Sequence, residues 1–402
     1  MIARLLLLLF VSTAATLLAQ EPPAREIAGF RTIDGAQVST RPDPIPVREV
    51  YEAGRDWRKQ PFRLAVMLVE FSDRKHAEAH TASFYDGMLF SKGTYLKTPA
   101  GKVSFGSVAD WYRTQSQDRF SLTGKAFDWV TVDQTFEAIH QLKLRDAQNQ
   151  YLKVALAKVR ERDGANALDD FDGYLFIHVG PITGPAGNIF WSHRSNVSGK
   201  RYITSGEIEE INVICHEFGH MLGLPDFYEK KGERKGFGPW CTMASGYRGL
   251  YPRSFCAWSK AHLGWCKPTV VDAATPQKLV LRPIQSHPND AFVIPLNRTD
   301  GIGSEFLLLE NRAATGNDSE GQAGLFIWRI HRQPDADGQS HFELTLPGPA
   351  DTPTSSEKNR RVAWPAGEVQ DFIIPPGAAE LPVAIRHIQL NGDVVSFDLG
   401  AS

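Results

Sequence analysis

The stretch from His216 to Asp226, HEFGHMLGLPD, constrains this chain more than any other. Two histidines four residues apart project from one face of a helix, so both imidazoles can meet one metal ion. Glu217 sits beside the first histidine and can point into the same cavity without being a ligand. Gly223 falls where a helix can end with a left-handed residue, and Pro225 cannot continue it. The chain turns there, which can bring Asp226 back as a third ligand, an oxygen in place of a third imidazole. Zinc suits such a set because three protein ligands leave a fourth position open for water. The metal lowers that water's pKa to roughly 7, and Glu217 is placed to act as general base. A bare HExxH is only moderately specific, since it also arises on ordinary amphipathic helices. An aspartate after such a turn can also be a turn or capping residue, which is the less common reading beside these neighbours.

The rest of the chain sets the context. Its 402 residues give a prior of two to three domains and ample core material. A net charge of -2 gives no basis for nucleic-acid binding or a polybasic membrane patch. Residues 1–20 read as a signal peptide, with Arg4, the apolar run Leu5–Phe10 and the small residues Ser12, Thr13, Ala14 and Ala15. Cleavage fits after either Ala15 or Ala19. The run is too short to span a bilayer, and no later segment is long and apolar enough. The expectation is an exported protein without stable membrane insertion and without a cysteine for lipidation near the cleavage region. Residues 21–60, rich in Pro, Arg and charge, read as an N-terminal arm or short propeptide, with no cysteine that could cap a zinc ion.

Apolar patterning outlines the elements. Phe62–Phe71 (FRLAVMLVEF) reads as a buried strand. Ser107–Ser116 carries Val108, Trp111 and Tyr112 at helical spacing, and Arg119–Val132 reads as one or two strands. Leu142–Arg162 has a helical period, and Tyr174–Val179 reads as a strand. Asn188–Arg194 (NIFWSHR) reads as an edge strand able to hold an extended peptide by strand addition. The metal helix is expected over about 207–222, with Ile211, Ile214, Cys215, Phe218 and Leu222 on its apolar side. Met243 follows in a tight turn, which on its own could simply be a core methionine. Ser254–Leu263 reads as a further helix.

Taken together, these residues resemble the immune inhibitor A family of secreted bacterial-type zinc metallopeptidases. The resemblance rests on HEFGHMLGLPDFY at 216–228, the Trp240/Met243 turn with its Ser-Gly, WSKAHLGW at 258–265 and WSHR at 191–194. VMLVEFSD at 66–73, SVADWYRTQS at 107–116, FLLLENRAATGND at 306–318 and GLFIWRIH at 324–331 extend it over most of the mature chain. It implies a metzincin-like catalytic domain with zinc on His216, His220 and Asp226, Glu217 as catalytic base and Met243 as the turn methionine. Cys241 departs from the family's frequent aspartate before that methionine. Asp169, Asp170, Asp172 and Gly173 look like a shortened form of the family's acidic loop, and the acidic-glycine pattern is lost after His331. Calcium (Ca2+) is thus a secondary candidate only. Asp335 and Asp337 are candidate ligands by composition, although turn residues in water are the commoner reading.

From about Lys267 the pattern changes to short apolar stretches separated by Pro, Gly, Asn and Asp, which suggests a β-sandwich. Glu310, Asn311 and Arg312 can support the fold or touch the catalytic domain, and packing is the expected role. The four cysteines, 215, 241, 256 and 266, allow three disulfide connectivities in an exported chain. Cys256 and Cys266 are poor partners if a continuous helix separates them, since ten residues rise about 15 Å. Cys215 points about 100° around the helix from His216 and is not expected to be a ligand.

The fold class expected is α+β: a zincin- or metzincin-like catalytic domain with a mixed sheet and active-site helix (61–267), then a β-sandwich-like C-terminal domain (268–402). The function expected is an exported Zn2+-dependent endopeptidase acting on protein or peptide substrates, with no nucleic-acid partner. Tyr247 and His193 are candidate oxyanion or substrate contacts by their proximity to the motifs. A catalytically inactive, metallopeptidase-like binding protein is the alternative, and the intact Glu217 and ligand set speak against it. The C-terminal part is expected to assist binding or stability rather than chemistry. Oligomeric state has no signal in the sequence.

Overall fold

A ten-residue apolar run needs cover on both faces, and the chain supplies it. The computed structural model describes residues 51–52, 55–56, 60–98, 101–184, 188–227, 237–297, 305–334, 340–345, 371–374 and 381–402. A short antiparallel pair, β1 (Tyr51–Glu52) and β2 (Arg55–Asp56), precedes the apolar run, β3 (Phe62–Phe71). β3 lies between two parallel neighbours, β4 (Leu122–Val132) and β5 (Gly173–His178). The edge strand β6 (Arg194–Val197) runs antiparallel to β7 (Lys200–Gly206), which is parallel to β5. The order is β4-β3-β5-β7-β6.

Strand alternation sends Phe62, Leu64, Val66 and Leu68 to one core and Ala65, Met67, Val69 and Phe71 to another. The first core is shared with α1 (Ala82–Phe90) and α2 (Val108–Ser116). The second is shared with α3 (Phe136–His140), α4 (Leu144–Ala147) and α5 (Lys153–Asp163). α2 begins where the sequence indicates, because Ser107 and Asp110 form a reciprocal capping box. The metal-motif helix, α6 (Ile211–Leu222), joins the first core, as does α7 (Ala257–His262).

Three boundaries differ from the sequence reading. The helix expected from about Glu207 starts at Ile211, because Gly206 is still paired with His178 in the sheet and the Glu207 N–H donates to the His178 carbonyl at 2.8 Å. Residues 188–193 form a turn, held by Phe190 N–H to Asn188 Oδ1 at 3.0 Å, so the edge strand starts only at Arg194. α7 starts at Ala257, since the Ser254 and Phe255 amides are taken by Asp318 Oδ1 and Gln115 Oε1 at 3.0 Å each. All four cysteines are buried and outside any disulfide, and Cys241 Sγ accepts the Cys256 N–H at 3.5 Å.

Two further sheets follow. One has β8 (Thr269–Val270), β10 (Ala291–Pro295), β11 (Glu305–Arg312), β12 (Gly324–Pro334) and β13 (Ser340–Thr345), in the order β13-β12-β11-β10-β8. The other has β9 (Gln277–Leu281), β14 (Phe372–Ile374), β15 (Val383–Asn391) and β16 (Val394–Gly400), in the order β14-β15-β16-β9. Leu307, Leu309, Leu325 and Ile327 of the first sheet share a core with Leu279, Ile385, Val395 and Phe397 of the second. The opposite face of the first sheet, Phe306, Leu308, Phe326 and Trp328, belongs to the same core as α6, Met243 and α7. The molecule is thus mixed α and β with several sheets, and its main core continues past residue 267. The expected signal peptide, most of the 21–60 arm, Asp335 and Asp337 lie outside the described residues. No helix among the described residues is long and apolar enough to cross a membrane.

Candidate metal centre

α6 carries His216 and Glu217 almost out of contact with solvent, at 4% and 7% exposure. Gly223 closes the helix with φ at +99°, a conformation that side-chain-bearing residues rarely adopt. The Leu224 N–H then returns to the Gly219 carbonyl at 3.0 Å. Phe227 N–H donates to the Met243 carbonyl at 2.8 Å, which ties the end of this turn to the methionine segment. Asp226, held between those two anchors, swings back to the histidines.

Its Oδ1 lies 3.3 Å from His216 Nε2 and 3.2 Å from His220 Nε2. The two Nε2 atoms are 3.1 Å apart. Each Nδ1 faces a backbone carbonyl, Thr242 for His216 at 2.7 Å and Leu224 for His220 at 2.8 Å. A carbonyl can only accept, so in a neutral imidazole Nδ1 keeps the proton and Nε2 presents its lone pair. Two ring lone pairs and a carboxylate oxygen therefore face one another, an arrangement that repels unless a cation sits among them. Among the described residues this is the one group of three or more metal-ligating side chains whose ligand atoms lie mutually within 4.8 Å. The donor set, two imidazoles and a carboxylate, fits zinc.

In the metal-free site a proton can take the cation's place. Burial disfavours an imidazolium at His220, but Asp226, with Glu217 and the Leu224 carbonyl, outweighs it and raises the pKa above the usual 6.5. Burial alone would raise the Asp226 carboxyl, yet the two histidines hold it well below the usual carboxylate range. Glu217 is raised above 4.5, first by burial, with the facing histidines opposing.

Beneath the helix, Met243 is fully buried against Gly219. A Cβ at Gly219 would meet Met243 Sδ at 2.5 Å, so a side chain there fits only if the thioether end of Met243 shifts. Tyr247 packs its ring on His216, with centroids 4.6 Å apart, and its hydroxyl accepts from Arg248 Nε at 3.1 Å. His193 has both ring nitrogens engaged: Nδ1 lies 2.5 Å from the Trp191 carbonyl and Nε2 lies 3.0 Å from the Tyr202 hydroxyl. The geometry thus brings His216, Glu217, His220, Asp226, Met243 and Tyr247 together and ties His193 to the strand β7. The sequence reading missed the Thr242 and Leu224 carbonyls, which any residue could provide, and the close packing at Gly219.

Comparison with known proteins agrees. A family model described as immune inhibitor A peptidase M6, catalytic domain, matches residues 58–173 and 162–265, together just over half of the chain. The pre-pro-metalloprotease PrtV of Vibrio cholerae is 24% identical over 281 residues, covering 51% of this chain and 30% of that protein. Immune inhibitor A of Bacillus thuringiensis subsp. alesti is 24% identical over 268 residues, covering 49% of this chain and 39% of that protein. The chain therefore matches well under half the length of these curated relatives. With the family model spanning both the opening strand and the histidine helix, the chain belongs to the immune inhibitor A peptidase family, within its catalytic domain.

Proposed function

We propose that this protein is an exported zinc endopeptidase with a metzincin-like catalytic region, His216, His220 and Asp226 as ligands, and Glu217 as general base. The observation that carries the reading is the convergence of three lone-pair donors beside a buried carboxylate. The family model, described as a peptidase, and the name of one relative, a metalloprotease, point the same way. Export rests on the leader-like residues 1–20. Residues 61–267 form the catalytic unit in this reading, and the two C-terminal sheets form a β-sandwich-like unit behind it.

Zinc, when bound, supplies Lewis-acid polarisation of the scissile carbonyl and makes water more acidic. The chain's own residues do the rest. Thr242 and Leu224 fix the ring orientation of the two histidines through Nδ1. Glu217 takes a proton from the attacking water and delivers it to the leaving amine. The Tyr247 ring covers His216 and brings a hydroxyl near the site. The open edge of β6 can hold an extended peptide by strand addition. His193 is a support of the β6–β7 region in this reading, not an oxyanion donor.

The experiment is metal content and casein cleavage of wild type and Glu217→Ala. Wild type should hold one zinc and cleave casein in a chelator-sensitive way. Glu217→Ala should keep its zinc and lose turnover by about 10²–10⁴-fold. Zinc-loaded wild type without hydrolysis would favour a binding protein, and a metal-loaded Glu217→Ala with substantial activity would remove Glu217 as base.

A further inference from the structure

We infer that Glu310 and Arg312, on β11 of the C-terminal sheet, are positioning residues for His216. The inference rests on the metal-centre reading above. Both side chains are buried, with 0% and 3% of their surface exposed, and they form an ion pair at 2.7 Å. Burying two charges is costly, and a well-packed apolar pair of similar volume often stabilises a fold at least as well. The pair therefore calls for a role in fixing geometry, and its remaining hydrogen bonds show what it fixes.

Those bonds leave the C-terminal sheet and enter the segment that holds the metal helix. Arg312 donates from its guanidinium to the Trp240 carbonyl. Glu310 Oε2 accepts the Ala257 N–H at 2.8 Å, while Oε1 accepts from Trp328 Nε1 at 2.7 Å. The two outward bonds thus grip the segment 240–257 at both ends. Near its second end, Ser254 N–H also donates to Asp318 Oδ1, just beyond β11. Between the grips lies Thr242, whose carbonyl accepts from His216 Nδ1 at 2.7 Å and whose hydroxyl donates to the Arg253 carbonyl. Met243, under Gly219, follows directly, and its carbonyl holds the Phe227 N–H next to Asp226. The grip therefore reaches one ligand through Thr242 and another through Met243. Planarity matters here, because the guanidinium bonds a carboxylate and a carbonyl at once, which an ammonium on a flexible stem does less well.

The test uses the full chain and two variants: the double Glu310→Met/Arg312→Met, which removes the pair without stranding a charge, and Arg312→Lys, which keeps the charge and loses the fork. Thermal melts report folding, and competitive chelator titration reports zinc affinity. We expect a folded double variant with zinc bound about 10–100-fold more weakly, and a lower melting temperature because the Trp240 carbonyl, the Ala257 N–H and the Trp328 Nε1–H lose their partners. Arg312→Lys should shift affinity in the same direction by a smaller factor, with kcat falling and KM little changed at saturating zinc. If either variant folds and holds zinc as tightly as wild type with unchanged kcat, the pair serves packing alone and the inference is overturned. Should the double variant not fold, Arg312→Lys decides by the same two readouts. Absence of zinc from wild type would instead overturn the proposed function, so the two failures are distinguishable.

Discussion

The front and the rear of the candidate metal centre are built at different distances along the chain. The front, His216, Glu217, His220 and Asp226, comes from one helix and the turn that ends it. The rear comes from the Thr242 carbonyl, 26 residues from His216, and from Arg312, 72 residues from the Trp240 carbonyl it holds. Helical spacing and the turn after Gly223 assemble most of the front, so its chemistry is written in side chains. The rear works through backbone carbonyls held by distant residues. A site can thus be chemically complete within a short motif and still depend on a remote sheet for its orientation.

Removing a ligand from the front should give the largest effect. Asp226→Ala should weaken zinc binding by more than the ~100-fold that a supporting residue commands. Competitive chelator titration checks this, and unchanged affinity would remove Asp226 from the ligand set. A smaller effect tests the contact of front with rear. Gly219→Ala places a Cβ against Met243 Sδ and should destabilise the protein by about 1–3 kcal/mol, read from chemical denaturation. An unchanged midpoint would show that Met243 can move aside, and that the fit under the helix is loose.

Much of the front is legible in the sequence. The pair of histidines, the glycine stop and the returning aspartate all follow from local rules, and the structure brings the three side chains together. The central strand Phe62–Phe71 and the capped helix after Ser107 are legible for the same reason. Misplaced boundaries come from tertiary bonds. Glu207 is drawn away from the helix by the sheet and by His80, and Ser254 by Asp318. The Glu310–Arg312 pair could be seen as a charged motif in an apolar strand, but no pattern in the sequence says which backbone groups it meets.

A further effect is a pH slope confined to the front. In the metal-free protein His220 has a raised pKa, so its protonated contact with Asp226 contributes stability in full below pH 6.5, the ordinary value, and loses it as pH rises through the raised value. Zinc needs the neutral ring, so its affinity should fall about tenfold for each pH unit below that raised pKa. Melts of chelated protein and zinc titrations from about pH 5 to 8 should therefore run in opposite directions. A zinc affinity flat over that range would mean that no histidine proton is displaced.

The most direct test of the central claim is X-ray absorption at the zinc edge of the loaded full-length protein. The expected spectrum shows two imidazole nitrogens with oxygen donors, all at about 2.0–2.2 Å, and no sulfur. A sulfur shell at about 2.3 Å would mean that zinc is held by one or more of the four cysteines, and would contradict the assignment of His216, His220 and Asp226.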